Sequence, residues 1–167
     1  ASITQTKNEW IMPNTGFERF VAALSATQEI NKRLRLNAKV NFTNKRSDNL
    51  PATGYNNQSI AYFMIFQNPS VDLEWYRPIW RQGLEDVDQV HPFSRFIDNP
   101  FLMAYEMTNS VNNNSVVGNL SANYDISEKF DLMVRTGIAM SQEERAQRRP
   151  YSTANFQRGF YKERSDL

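Results

Sequence analysis

Five aromatic side chains sit close together in the middle of the sequence: Tyr62, Phe66, Trp75, Tyr76 and Trp80. Rings in an exposed segment can stack on sugar rings or anchor a protein partner, since Trp and Tyr are enriched at interface hot spots. Two of the three Trp fall here, and the third is Trp10. The same rings would equally serve as the small core that a long connection needs to hold itself together. Both readings stay open at this point.

Other groups with chemical potential are sparser. Glu85, Asp86 and Asp88 could offer oxygen ligands to Ca²⁺, but their spacing is not that of a calcium loop, and a solvated acidic face is the plainer reading. His91, the only His, precedes Pro92 and has no partner at metal-ligand spacing. Arg145, Arg148 and Arg149 can meet an anionic group, a charged membrane surface or water. There is no G-x-S-x-G, Walker loop or H-E-x-x-H pattern. With no Cys and one His, a nucleophile–base pair would need unusual parts. The expectation is a non-enzyme with no cofactor, no metal and no catalytic residues.

Composition narrows the class. The 167 residues carry 19 Lys+Arg and 18 Asp+Glu, a net charge of +1. A nucleic-acid partner would call for a basic imbalance, so none is expected. Eighteen Asn and nine Gln make 27 side-chain amides, beside 21 aromatic residues. Asn favours turns and loops over strands, so the chain reads as rich in loops. The longest apolar stretch, 60–66, is far short of the roughly 18 residues of a membrane helix. The start, Ala1-Ser2-Ile3-Thr4-Gln5, lacks the basic and apolar regions of a signal peptide.

The elements that must carry these residues show a period of two. Leu34, Leu36, Ala38, Val40 and Phe42 alternate with Arg33, Arg35, Asn37, Lys39, Asn41 and Thr43, a half-buried strand over 33–43. A preceding strand over 17–29 (Phe20, Ala22, Leu24, Ala26) joins it through a short turn at Ile30-Asn31-Lys32. A second hairpin alternates over 116–126 and 130–141, turning at Ser127-Glu128-Lys129. A partial strand is expected near 2–6. The strands run about 10–12 residues, and a membrane-spanning strand needs about 9–11.

The connections are lopsided. The hairpin turns take about three residues each, but about 70 residues separate the hairpins. Loops beyond about 12–15 residues are uncommon in compact domains. Short turns at one end and long loops at the other are the pattern of outer-membrane barrels. One face of the strands is wet (Arg33, Arg35, Asn37, Lys39, Asn41, Asn119, Asn123, Arg135), as a barrel lumen is. The other is Leu, Val, Ala and Ile, with Tyr124 and Phe130 flanking the turn where an aromatic girdle would lie. A soluble β-sandwich also alternates, with its apolar face inward, and a cross-strand pair of rings suits a soluble sheet too.

Five stretches carry a family resemblance. Ile11-Met12-Pro13-Asn14-Thr15-Gly16-Phe17-Glu18-Arg19 is similar to a loop entering a barrel strand. Ser47-Asp48-Asn49-Leu50-Pro51 follows the next strand in the same manner. Asp98-Asn99-Pro100-Phe101-Leu102-Met103-Ala104-Tyr105-Glu106 resembles a DNPY-x-x-AYE-type stretch. Arg148-Arg149-Pro150-Tyr151-Ser152 and Gly159-Phe160-Tyr161-Lys162 resemble the loop after the next upward strand. In this order and spacing the chain resembles the SusC/RagA family of TonB-dependent outer-membrane transporters of Bacteroidetes.

The resemblance implies an all-β fold: an antiparallel up-and-down transmembrane β-barrel segment, part of a large plugged barrel, with long extracellular loops. It implies a nutrient importer that takes up oligosaccharides or peptides with a SusD-like surface lipoprotein, energised through TonB. The plugged 22-stranded transporters are of this class. The chain would be one partial barrel domain over 1–167, with the plug, the TonB-contacting segment and the N-terminus outside it. An open sheet exposes edges that lipid forbids, so the rest of the barrel and outer-membrane lipid are expected partners. The turns at Asn31 and Glu128 would be periplasmic, and 45–115 and 142–167 extracellular. Tyr62, Phe66, Trp75, Tyr76 and Trp80 would then contact the lipoprotein or the ligand. The competing readings are a soluble β-domain that binds carbohydrate through Tyr62, Trp75 and Trp80, and a purely structural β protein. They part on one point. In a barrel wall, Leu36, Val40, Leu120 and Val134 point away from the chain's own core.

Overall fold

The computed structural model describes residues 1–55, 59–154 and 158–167. Its frame is a six-stranded sheet: β1 (Ser2–Glu9), β2 (Gly16–Asn31), β3 (Leu34–Ser47), β4 (Asn109–Ser127), β5 (Phe130–Arg149) and β6 (Gly159–Asp166). Every neighbour in the chain is an antiparallel neighbour in the sheet, in the order β1-β2-β3-β4-β5-β6. Among the described residues the meander is open: β1 pairs only with β2, and β6 only with β5. Among the described residues, no helix is long and apolar enough to cross a membrane.

Local chemistry closes the hairpins. Asn31 Oδ1 accepts hydrogen bonds from the Arg33 and Leu34 amides at 2.8 and 2.9 Å, an Asx turn that reverses the chain at once. At the other hairpin Ser127 Oγ accepts from the Lys129 amide. A bulge lies just before each turn, between Glu29 and Asn31 and between Asp125 and Ser127. Register then fixes the faces. Val40 pairs with Leu24 and Gly118, and Gly118 with Ile138. A Cβ on Gly118 would stand 3.3 Å from Ile138 Cγ2 and 3.6 Å from Val40 Cγ2, so the missing side chain lets its two neighbours lean over β4.

The alternation is therefore real, but the apolar face covers no core. Val40 is 44% exposed, Leu120 49% and Val134 59%, and Leu36 is half-buried. The buried apolar residues lie outside the sheet. Phe63, Ile97, Leu102, Met103 and Met107 form one cluster within the segment joining β3 to β4. This segment contains α1 (Ile60–Phe66), a 3-10 turn (Leu73–Tyr76) and α2 (Pro100–Tyr105). It is tied to the strand ends. Asn14 and Asn49 donate to the Ala104 carbonyl at 3.0 and 3.3 Å. The Leu50 amide bonds Asn109 O at 2.6 Å, and Arg148 meets Glu106 at 2.9 Å.

The strands are longer than the alternation alone predicts. β4 begins at Asn109 rather than 116, and β5 runs to Arg149 rather than 141. β1 extends to Glu9, and β6 occupies part of 142–167, where a loop was expected. The joining segment thus spans 48–108 rather than 45–115. The extra length is polar on both faces: Asn-Ser-Val-Asn-Asn-Asn-Ser in β4, Gln-Glu-Glu-Arg-Ala-Gln-Arg-Arg in β5. Amides stitch it together. Asn44 Nδ2 donates to Asn112 Oδ1 at 2.9 Å and to Asn114 Oδ1 at 2.7 Å.

Candidate functional site

The five aromatic residues fall into two groups and one outlier. Ser59 caps α1 by accepting from the Tyr62 amide at 3.3 Å. The cap sets the helix phase, so Tyr62 and Phe66, four residues apart, share a side. Their rings meet at 5.0 Å, edge to face, and Tyr55 joins them at 4.5 Å from Tyr62 and 6.2 Å from Phe66. This trio is partly open to solvent, beside Ile65 at 71% exposure.

Tyr62 also packs on the buried cluster, and Tyr76 and Trp80 share that contact without joining the trio. The Tyr76 ring stands at 89° to that of Phe63, 5.9 Å away. Trp80 also makes an isolated β-bridge to Gln89. Trp75 is the outlier, 67% exposed. It is presented by the 3-10 turn, which Asp72 caps through the Glu74 amide at 2.9 Å. Arg77 fixes that turn: it pairs with Glu74 and lies over the Phe101 ring, 4.8 Å from its centre. The pairing holds the Glu74 carboxyl below its usual range.

A polar knot organises the segment. Gln89, Asp98 and Asn99 are wholly buried. Gln89 Nε2 donates to Asp98 Oδ1 at 2.7 Å and to the Ser152 carbonyl at 2.5 Å. Gln89 Oε1 accepts from the Asn99 amide at 2.7 Å. Asn99 Oδ1 caps α2 through the Phe101 amide at 2.8 Å, while its Nδ2 donates to Tyr76 O and Val90 O, both at 2.9 Å. The Ala154 amide donates to Asp98 Oδ1 at 2.8 Å, so the knot spans two connections, 48–108 and the one after β5. Asp98 Oδ2 is buried without a hydrogen-bond partner among the described residues. Burial pushes the Asp98 carboxyl up; bonds from Gln89 and Ala154 and the charge of His91 oppose this and do not cancel it.

The weaker candidates are dispersed. Glu85 accepts from the Gly83 amide at 3.0 Å, and Asp88 pairs with Arg81 at 3.3 Å. Among the described residues no group of three His, Asp or Glu side chains could hold a metal ion. His91 Nδ1 lies 3.3 Å from Ile97 O. Arg145 pairs with Glu143 at 2.6 Å, Arg148 with Glu106, and Arg149 lies over Tyr161. A cavity of about 40 Å³ lies under the segment between Leu50, Met103 and Gln147, with room for a few waters. Of the five aromatic residues, Phe66 and Trp75 are exposed, and Tyr55, Phe93, Phe96 and Tyr105 add further exposed rings to the surface of the segment.

Reading the residues one by one missed the knot. Asp98 and Asn99 stand in the stretch that carries the family resemblance, but their partners Gln89 and Ser152 have no local signature. No family model, curated protein or solved structure matches the chain.

Proposed function

We propose that the chain is a stretch of the wall of a TonB-dependent outer-membrane importer of the SusC/RagA type. In this reading the apolar face of the sheet meets lipid. One observation carries it: the regular apolar face covers nothing, while the buried core lies in a separate segment. A large contiguous apolar patch left open to water marks an interaction or membrane surface. The band runs from Leu34 to Phe42 on β3, about 26 Å along the strand at ~3.3 Å per residue. A tilt of ~40° brings that to about 20 Å, beside an apolar band of about 25 Å on such barrels. Polar residues bound it above, where Asn44, Asn114 and Gln142 occupy the same face.

The open edges fit the same reading. Among the described residues, β2 has no neighbour on its outer side over residues 24–31, nor β5 over 130–140. Further strands of the same barrel would cover both and leave no free edge in lipid. The segment 48–108 then stands on the cell exterior. Its exposed rings suit a SusD-like lipoprotein or the arriving oligosaccharide or peptide, with Phe66 and the half-buried Tyr62 on one side of α1 and Trp75 on the turn beyond. Tyr76 and Trp80 support that surface from beneath. A soluble sugar-binding domain would need Tyr62, Trp75 and Trp80 on one platform, whereas Tyr62 and Trp80 both pack on the core and Trp75 does not.

Uptake of a fluorescent oligosaccharide or peptide by cells producing the full-length protein tests the function. Transport should require TonB and the proton-motive force. Accumulation that persists without TonB would overturn the importer assignment.

A further inference from the structure

The basic residues of the sheet fall into two groups. On the apolar-band face, Lys7, Arg46, Lys162 and Arg164 each have a carboxylate within 4.0 Å. On the polar face Arg35 pairs with Glu29 at 3.0 Å and Arg145 with Glu143 at 2.6 Å, but Arg19, Lys39, Lys45 and Arg135 have no carboxylate within 4.0 Å among the described residues. Arg19 and Lys45 are direct cross-strand partners. Like charges so placed are destabilising, and the nearest acid along β2, Glu18, belongs to the other face. Glu143, at the level of Lys45, is already held by Arg145 at 2.6 Å and Asn113 at 3.2 Å. Below that level, down to Asn37, the polar face of β2 to β5 carries no carboxylate.

What surrounds the cations is equally particular. Lys39 stands opposite Ser25 and Asn119, with Asn37 and Asn41 two residues away on either side. Arg135 stands opposite Ser121. Amides and hydroxyls of this kind exchange hydrogen bonds with sugar hydroxyls, and guanidinium and ammonium groups take carboxylate or sulfate. Lys39 and Lys45 are six residues apart on one strand, about 20 Å at ~3.3 Å per residue, so a single ligand reaches both only if it is an oligomer.

We propose that the polar face is a track for an acidic oligosaccharide, one bearing carboxylates or sulfates, with Arg19 and Lys45 as one anchor and Lys39 and Arg135 as the other. The proposal rests on the reading that this face lines the pore, and it narrows the cargo.

Calorimetry on the full-length protein in detergent micelles tests it, with tetragalacturonate, sulfated tetrasaccharide, maltotetraose and tetraglutamate as probes. An acidic tetrasaccharide should bind at least about tenfold tighter than maltotetraose. The advantage should shrink between about 50 mM and about 500 mM salt. Arg19→Gln with Lys45→Gln should remove about tenfold of acidic binding and leave maltotetraose unchanged. Arg19→Lys with Lys45→Arg should retain it, which guards against a mere folding defect. Equal binding of acidic and neutral sugars overturns the proposal, as does a Gln pair without effect. Tetraglutamate binding tighter than both acidic sugars overturns the sugar assignment. Lipid exposure of Val40, read separately, keeps the membrane reading independent of either result.

Discussion

Asp98 and Gln89 meet at 2.7 Å with neither side chain exposed. Around this bond the joining segment closes on itself and on the connection after β5. A buried polar pair is costly unless its groups are satisfied. Here one amide serves three partners: Asp98, the Ser152 carbonyl and the Asn99 amide. The knot thus positions α2, and with it the buried cluster under the exposed rings.

Asp98→Ala leaves the Ala154 amide without its acceptor and Gln89 Nε2 with only the Ser152 carbonyl, in a buried site. Each orphaned donor costs about 1–3 kcal/mol. The segment 48–108 should become sensitive to limited proteolysis while the strands stay resistant. Uniform digestion of strands and segment alike would contradict this division.

The pH dependence has a definite sign. Burial raises the Asp98 carboxyl above the ordinary value of 3.8. The folded segment therefore favours the neutral acid. Its stabilising contribution is full below that ordinary value and is lost as pH rises through the raised one. Followed by tryptophan fluorescence, the denaturation midpoint of the segment should fall as pH rises above the ordinary carboxyl range of about 4. Asp98→Asn should flatten the slope, and an unchanged slope would remove Asp98 as its source.

Two substitutions at apolar positions should depend differently on the surrounding solvent. Leu102 is fully buried, so Leu102→Ala should cost about 2–5 kcal/mol in any solvent. Val134 stands on the open apolar face, and Val134→Lys should cost about 2–4 kcal/mol only in a bilayer. Refolding yields of both variants in lipid and in plain micelles give the comparison. A Val134→Lys penalty that is independent of lipid would count against the membrane face.

Trp75 and Trp80 separate contact from support. Trp75→Ala should leave folding intact and weaken the lipoprotein or ligand complex by about tenfold, as truncation of an interface ring does. Trp80→Ala should lower segment stability first, because that ring packs on the buried cluster. The reverse pattern in paired binding and melting experiments would reassign the two rings.

Much of the sheet was legible in the sequence because one face must be apolar. The period of two is plain between Leu34 and Phe42, and both tight turns carry their own side-chain acceptors, Asn31 and Ser127. Legibility stops where both faces are wet. Residues 109–115 and 142–149 pair as strands, but with polar residues on either face they offer no period. The stretch 60–66 is apolar all round and fits helix or strand alike; the Ser59 cap resolves it as helix. Trp75 and Trp80 look equivalent along the chain, and only the packing of Trp80 on the buried cluster tells them apart. The knot was hidden for a similar reason, since Gln89 lies 63 residues from Ser152.

The central claim is that the apolar face meets lipid and the polar face does not. Nitroxide spin labels placed singly along β3 and β4 of the full-length protein in bilayers test it most directly. Collision with oxygen should be high at positions 36, 40 and 120, and collision with a water-soluble nickel chelate high at 37, 41 and 119. The two profiles should alternate with a period of two, out of phase. Positions 40 and 120 as accessible to the chelate as 41 and 119 would contradict the membrane wall.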